Sequence, residues 1–152
     1  MPVFNFYGFL FMAVIMVPNI VFAVRNKDGF QNLWHNRAVE FLEQIGRFAC
    51  FGFMLFNIPH TCFGFPSDKA FAAYIIVNCM LTAAYCLIWI VCFRKNSVFR
   101  ALALSILPSL TFLCSGIFSR SVLLIAASLV FAPCHITVSY KNAALTAKEK
   151  KL

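Results

Sequence analysis

Five long apolar stretches, separated by short polar connections, run through almost the whole chain. They lie at about 4–24, 41–63, 70–93, 98–118 and 121–140. A helix needs about 20 mainly apolar residues to cross the hydrocarbon core of a bilayer. The sequence therefore predicts an all-α, polytopic membrane protein, a single domain built as a bundle of five transmembrane helices.

The composition agrees with a membrane location. The 152 residues are 62% hydrophobic and 12% charged, whereas a soluble domain is roughly half apolar and about a quarter charged. We therefore expect a multi-pass protein of the cell membrane, with the lipid bilayer as its first partner. The formal net charge of +8 fits basic residues that flank membrane spans. No nucleic-acid-binding motif accompanies these residues, so no nucleic-acid partner is expected.

The distribution of Lys and Arg predicts the orientation. The first stretch has no basic residue before it and is followed by Arg25 and Lys27, the reverse of a signal peptide. Five crossings with the N-terminus outside leave Lys69 and Arg120 outside and put the other eleven of the thirteen Lys and Arg residues inside. The C-terminus would then be inside, with 141–152 as a basic cytoplasmic tail.

The second stretch differs from the others because it carries charges. A helix is predicted to begin near Arg37, with Asn36 as its N-cap, and either to end or to bend at Pro59. At about 100° per residue, one face collects the polar and small side chains. This face holds Glu40, Glu43, Arg47, Cys50, Met54, Asn57 and Thr61. We expect it to point toward the other helices rather than toward lipid.

Glu43 and Arg47 are four residues apart and can pair on a helix. In one interpretation they form an interfacial ion pair that closes the cytoplasmic end of the span, or Arg47 reaches a lipid phosphate. In the other they form the polar mouth of a cavity. Arg47 would then bind a carboxylate or phosphate, and Glu43 would orient it.

The third stretch has a polar and aromatic face of its own, which holds Tyr74, Asn78, Thr82, Tyr85 and Trp89. Asn57 and Asn78 are predicted at similar depths on neighbouring helices. They would either form an interhelical hydrogen bond or line a pocket with Tyr74 and Tyr85. The candidate substrate-binding residues are therefore Glu43, Arg47, Asn57, Tyr74, Asn78 and Tyr85.

The sequence contains no recognisable motif for catalysis, metal binding or cofactor binding. None of the seven cysteines forms a CxxC pair, and the three histidines lack carboxylates at ligand spacing, so no metal or cofactor is expected. Cys62, near the predicted outer face, is the candidate for disulfide formation. Nucleotide-binding and serine-hydrolase motifs are missing from the sequence, and no catalytic residue is assigned.

Three function classes remain open. The favoured one is a protein that binds or transports a small molecule or lipid, alone or as the membrane subunit of a larger transporter. The second is a membrane-embedded enzyme that acts on a lipid or lipid-like substrate from the cytoplasmic side, using His35, Glu43 and Arg47. The third is a non-catalytic assembly or regulatory protein. A homo-oligomer or a companion membrane subunit is compatible with all three.

Overall fold

Five α-helices form the protein in its computed structural model, which describes residues 3–26, 32–94 and 97–149. The helices are α1 (Phe6–Arg25), α2 (Arg37–Leu55), α3 (Asp68–Cys92), α4 (Val98–Ser119) and α5 (Val122–Glu149). The structure is 81% helix, and its described residues contain no β-strand. The predicted all-α fold is confirmed. Lys27, Lys95 and the last three residues of the predicted tail lie outside the described residues.

Short polar side chains start four of the helices. Asn5, Asn36, Ser67 and Ser97 each accept a hydrogen bond from the backbone N–H three residues later, at 3.1 to 3.3 Å. Such caps satisfy amide groups that have no partner within the helix. The predicted cap at Asn36 is confirmed. Between α4 and α5 the chain reverses at Arg120, whose φ of 53° is left-handed.

The bounds of α2 and α5 differ most from the predicted stretches. Helix α2 ends at Leu55, four residues before Pro59, and its cap residue Phe56 is extended. Proline disfavours a helical conformation in the residue before it, so Pro59 stands beyond the end of the helix rather than at a bend. Helix α5 continues through Glu149, so the described part of the predicted tail is helical.

Four of the helices, α1, α3, α4 and α5, are long and apolar enough to cross a membrane. The chain thus has the helices of an integral membrane protein. Helix α2 falls outside this group since its 19 residues include Arg37, Glu40, Glu43 and Arg47. Large apolar side chains face outward on several helices, for example Phe48 at 69% and Ile90 at 77% exposure. Five crossings and an outside N-terminus stay predictions.

The helices pack in the order α1, α3, α4, α5, α2, with α2 returning to α1. Helix α4 lies between α3 and α5, and small residues allow its close packing. A side chain in place of Gly116 would come within 2.9 Å of Ile125 on α5. Four buried serines of α4, Ser105, Ser109, Ser115 and Ser119, add little bulk.

Basic residues concentrate at one end of the bundle, where α1, α3 and α5 finish and α2 and α4 begin. We call this the basic end; it carries Arg25, Arg37, Arg94, Arg100 and Lys141. The opposite end carries Lys69 and Arg120. A buried cluster around Tyr74, Phe112 and Phe131 fills the opposite half, and a smaller one around Phe22 and Trp89 lies near the basic end.

Candidate functional site

Glu43, Arg47 and His135 form a charged cluster where α2 packs against α5. The Arg47 guanidinium donates a hydrogen bond to Glu43 Oε1, and His135 Nδ1 lies 2.9 Å from the same oxygen. Glu43 is only 4% exposed. A buried carboxylate is strongly disfavoured unless its charge is paired and hydrogen-bonded. The contacts of Arg47 and His135 therefore explain how Glu43 can be buried.

Helical spacing positions each member of this cluster. Glu43 and Arg47 occupy successive turns of one face of α2. On α5 the His135 ring stacks on Phe131, with ring centroids 4.7 Å apart and planes inclined by 17°. The stacking holds the imidazole in the orientation that directs Nδ1 to Glu43. The side chains of Arg47 and His135 remain 35% and 20% exposed.

A cavity of about 920 Å³ lies beside this cluster, and all five helices contribute to its wall. Its charged lining residues lie toward the basic end. They are Arg37, Glu40, Glu43, Arg47, Arg100 and His135. Deeper in the bundle the wall becomes apolar, with Met12, Phe51, Phe112 and Phe131. The cavity is therefore amphipathic, and its volume lies within the range of about 300–1,000 Å³ that is usual for ligand pockets.

The α1 and α3 side of the cavity is held by polar and aromatic contacts. The Tyr85 hydroxyl donates a hydrogen bond of 2.9 Å to Asn19 Oδ1, which joins the two helices. One turn nearer the basic end, Phe22 and Trp89 pack with ring centroids 4.8 Å apart. These contacts give the cavity a fixed wall opposite the Glu43 cluster.

Arg100 closes the cavity between α3 and α4. Its guanidinium donates to the carbonyl oxygens of Cys92 and Phe93 at 3.4 and 3.2 Å and lies 4.9 Å from the centroid of the Phe22 ring. Cations at a helix C-terminus are stabilised by the helix dipole, and an aromatic face adds a cation–π attraction. Arg100 can therefore keep its charge although it is 8% exposed.

The structure brings three of the six candidate binding residues to the cavity. Glu43, Arg47 and Tyr85 line it. Tyr74 and Asn78 are fully buried in the opposite half of the bundle. Asn57 follows the end of α2, and its side-chain oxygen accepts a bond from the Cys62 thiol at 3.5 Å.

The interhelical bond of Asn78 is made with α4. Its side-chain oxygen accepts a hydrogen bond of 3.0 Å from Ser115, and its side-chain nitrogen donates to the Tyr74 carbonyl at 2.8 Å. Asn78 thus joins α3 to α4 at a distance from the cavity. Because α2 ends at Leu55, the predicted polar face is helical as far as Met54, and Asn57 and Thr61 belong to the following connection.

Sequence reasoning missed His135, Asn19 and Arg100 as members of the site. His135 and Asn19 are polar residues within apolar helices, a pattern that usually marks an inward-facing position. That signal was present for both, although it does not name their partners. Arg100 is the third residue of α4, and the sequence marks it only as one of the eleven basic residues expected inside.

His35, proposed for the enzyme hypothesis, lies elsewhere. Its side chain is 73% exposed, and its Nδ1 is 3.7 Å from Glu40 Oε1. His135 occupies the place beside Glu43 that the enzyme hypothesis gave to His35. Across the described ranges, no group of three or more His, Cys, Asp or Glu residues is arranged to hold a metal ion.

All seven cysteines are free thiols in the structure. Cys62, the candidate for disulfide formation, donates to the Asn57 side-chain oxygen and to the Ser119 carbonyl, at 3.5 and 3.6 Å. It therefore helps to hold the connection after α2 against the end of α4.

Comparison of the chain with models of known protein families, with curated proteins and with solved structures found no match.

Proposed function

We propose that the protein binds a small amphipathic molecule in the cavity between its helices, as a carrier or transporter of that molecule. The observation that supports this most is the division of one cavity into a charged part and an apolar part. A ligand that fits this cavity places apolar atoms against its apolar wall and a polar head against its charged side chains.

Polar groups in the cavity wall can orient such a ligand. Arg47 gives one hydrogen bond to Glu43, and a guanidinium has five N–H donors, so Arg47 has further donors for a head group. Tyr85 and Asn19 lie on the other side of the cavity. The membrane subunit of a larger transporter would use the same site in the same way.

Native mass spectrometry of the gently extracted protein tests this proposal. The probes are single-chain amphiphiles of each charge: oleate, monoolein and sphingosine. At least one is expected to give a saturable complex with one molecule per chain.

Ala101→Phe, which places a ring in the cavity wall, should abolish that complex. Ala83→Phe adds the same ring at an exposed position of α3 outside the cavity and should leave it intact. Equal adducts in both variants would contradict binding in the cavity.

A membrane-embedded enzyme is the second candidate, and the Glu43–His135 pair favours it. A carboxylate that orients an imidazole is the arrangement of a general base, and His135 keeps part of its ring exposed beside the cavity. Incubation of the protein in lipid vesicles, followed by mass spectrometry of the lipids, tests this candidate. The enzyme hypothesis requires a new product that His135→Ala eliminates.

A further inference from the structure

The cavity has an opening in the side of the bundle, between α1 and α2. Six of the residues that line it are exposed, and each belongs to α1, to α2 or to the segment just before α2. They are Ile20, Ala23, Asn32, Arg37, Phe41 and Gln44. Every lining residue from α3, α4 and α5 is buried or half-buried. The cavity therefore reaches the surface where α1 faces α2.

Helices α1 and α2 are held together at the opposite end. The Asn5 amide donates to the Leu55 carbonyl at 2.8 Å, and the Asn57 amide donates to the Val3 carbonyl at 2.7 Å. At Gly8 the helices approach so closely that a side chain there would collide with the Met54 carbonyl. Toward the basic end both helices instead give side chains to the cavity wall, so the gap between them lies in that half.

The rim of this opening is suited to hydrocarbon. Ile20 and Phe41, on either side of it, are 54% and 65% exposed, and large apolar side chains in such positions are stable against lipid chains. Ile20 lies five residues before the end of α1, which is about 8 Å along a helix. In a bilayer that α1 spans, the opening would lie next to the head-group level of one leaflet, where an amphipathic lipid could move into it without leaving the membrane.

The charges of the cavity favour an anion. Its wall carries three arginines, Arg37, Arg47 and Arg100, against two glutamates. Both carboxylates already have hydrogen-bond partners. Glu43 is in contact with Arg47 and His135. Glu40 accepts hydrogen bonds from the Asn32 side chain at 3.0 Å and from the Asn36 amide at 3.3 Å. No ion pair of Arg37 is found within the described ranges. Arginine forks match phosphate and carboxylate oxygens.

We propose, on the basis of the binding function above, that the ligand is a membrane lipid with a phosphate or carboxylate head group. It reaches the cavity through the opening between α1 and α2. The head group lies among Arg37, Arg47 and Arg100, and an acyl chain that enters past Ile20 and Phe41 fills the apolar part of the cavity.

Fluorescence quenching of Trp89 tests this proposal, because Trp89 lines the cavity and is 3% exposed. The chain has two tryptophans, so Trp34→Phe leaves Trp89 as the sole reporter. The protein is placed in phosphatidylcholine nanodiscs that contain brominated phosphatidylglycerol or, for comparison, brominated phosphatidylcholine. Brominated phosphatidylglycerol is expected to saturate the quenching at a lipid fraction about three- to tenfold lower than the fraction of brominated phosphatidylcholine that is needed. Equal quenching by the two lipids would overturn the anionic assignment.

A pair of variants tests the lateral route. Ala23→Phe with Gln44→Phe fills the opening from both helices and should remove the phosphatidylglycerol preference. Ala72→Phe with Ala83→Phe adds the same rings to exposed positions of α3 outside the cavity and should retain it. An undiminished preference in the filled variant would overturn the lateral opening.

A short, water-soluble bromoalkyl phosphate separates this inference from the function on which it depends. It needs no bilayer, so its saturable quenching of Trp89 is measured on the protein in detergent micelles. If the soluble phosphate binds but phosphatidylglycerol shows no preference, the binding function stands and the lipid assignment is wrong. If neither probe gives saturable quenching but monoolein or sphingosine still forms the one-to-one complex, the binding function stands and the anionic assignment is wrong. If none of these ligands binds, both proposals fall.

Discussion

Gly46 of α2 lies directly against the backbone of Phe131 on α5. A side chain at Gly46 would come within 2.9 Å of both Cα and Cβ of Phe131. This close approach lies one turn from the charged cluster, because Glu43 precedes Gly46 by three residues and His135 follows Phe131 by four. The contact between Glu43 and His135 therefore depends on a glycine that lets the two helices approach.

Gly46→Ala should move α2 away from α5 and weaken the whole site. Because the obstructing atoms are mainly backbone, the new methyl group cannot be accommodated by a side-chain rotation. We expect a loss of about 1–3 kcal/mol in the free energy of unfolding, measured by denaturation in mixed micelles. Gly52→Ala is the matched control, since nothing lies within 4 Å of a side chain there. It should be neutral or stabilise α2 by about 0.5–1 kcal/mol; the same loss in both variants would contradict the close-packing account.

Glu43 and His135 should be energetically coupled. Glu43→Gln and His135→Ala each remove one partner of the 2.9 Å contact. Each substitution should therefore lower the stability less in a protein that already carries the other than it does alone. We expect a coupling of about 0.5–3 kcal/mol, as is usual for residues in contact. A double-mutant cycle on the free energy of unfolding measures it. The cycle of Glu43 with His35, which is 73% exposed and lies beside Glu40, should be additive. Additivity in both cycles would mean that His135 does not contact Glu43.

Ser115→Ala should destabilise the packing of α3 on α4. Removal of the hydroxyl leaves the Asn78 side-chain oxygen, in a fully buried residue, without its interhelical donor. Hydrogen bonds between membrane helices average about 0.6 kcal/mol and reach about 1.7 kcal/mol, and full burial places this one toward the upper value. In Ser119→Ala the lost bond goes to the carbonyl of Ser115 in the same helix, so a smaller effect is expected. If Ser119→Ala costs as much in the free energy of unfolding, the interhelical bond has no special role.

The predictable part of the fold follows from local patterns. Long apolar runs determine four of the helices, and the polar period of α2 predicted that Glu43, Cys50 and Met54 face inward, as their burial shows. These signals depend on residues a few positions apart. The end of α2 was placed too late because the apolar residues Phe56 and Ile58 continue the hydrophobic run although the helix has already ended.

The composition of the site was less predictable because it depends on contacts between distant parts of the chain. His135 reaches Glu43 over 92 positions, and the pairing is decided by the packing of α5 on α2. Likewise Asn78 bonds to Ser115 of α4 rather than lining a pocket. The polar period of a single helix does not show which residues of another helix it will contact. The sequence therefore predicts which residues face inward but not which of them form contacts.

Arg47→Ala should impair ligand binding more than it impairs folding. The Arg47 side chain is 35% exposed and Glu43 keeps its contact with His135, so the substitution should cost about 1–3 kcal/mol, less than the removal of a partner from a fully buried ion pair. A missing charged hydrogen bond to a bound head group should lower affinity by about tenfold. Quenching of Trp89 by brominated phosphatidylglycerol and the yield of folded protein are measured on the same sample. Arg94→Ala removes an exposed arginine at the same end, outside the cavity wall, and should change neither quantity. A parallel fall in folded protein and in binding per chain would assign Arg47 to packing instead.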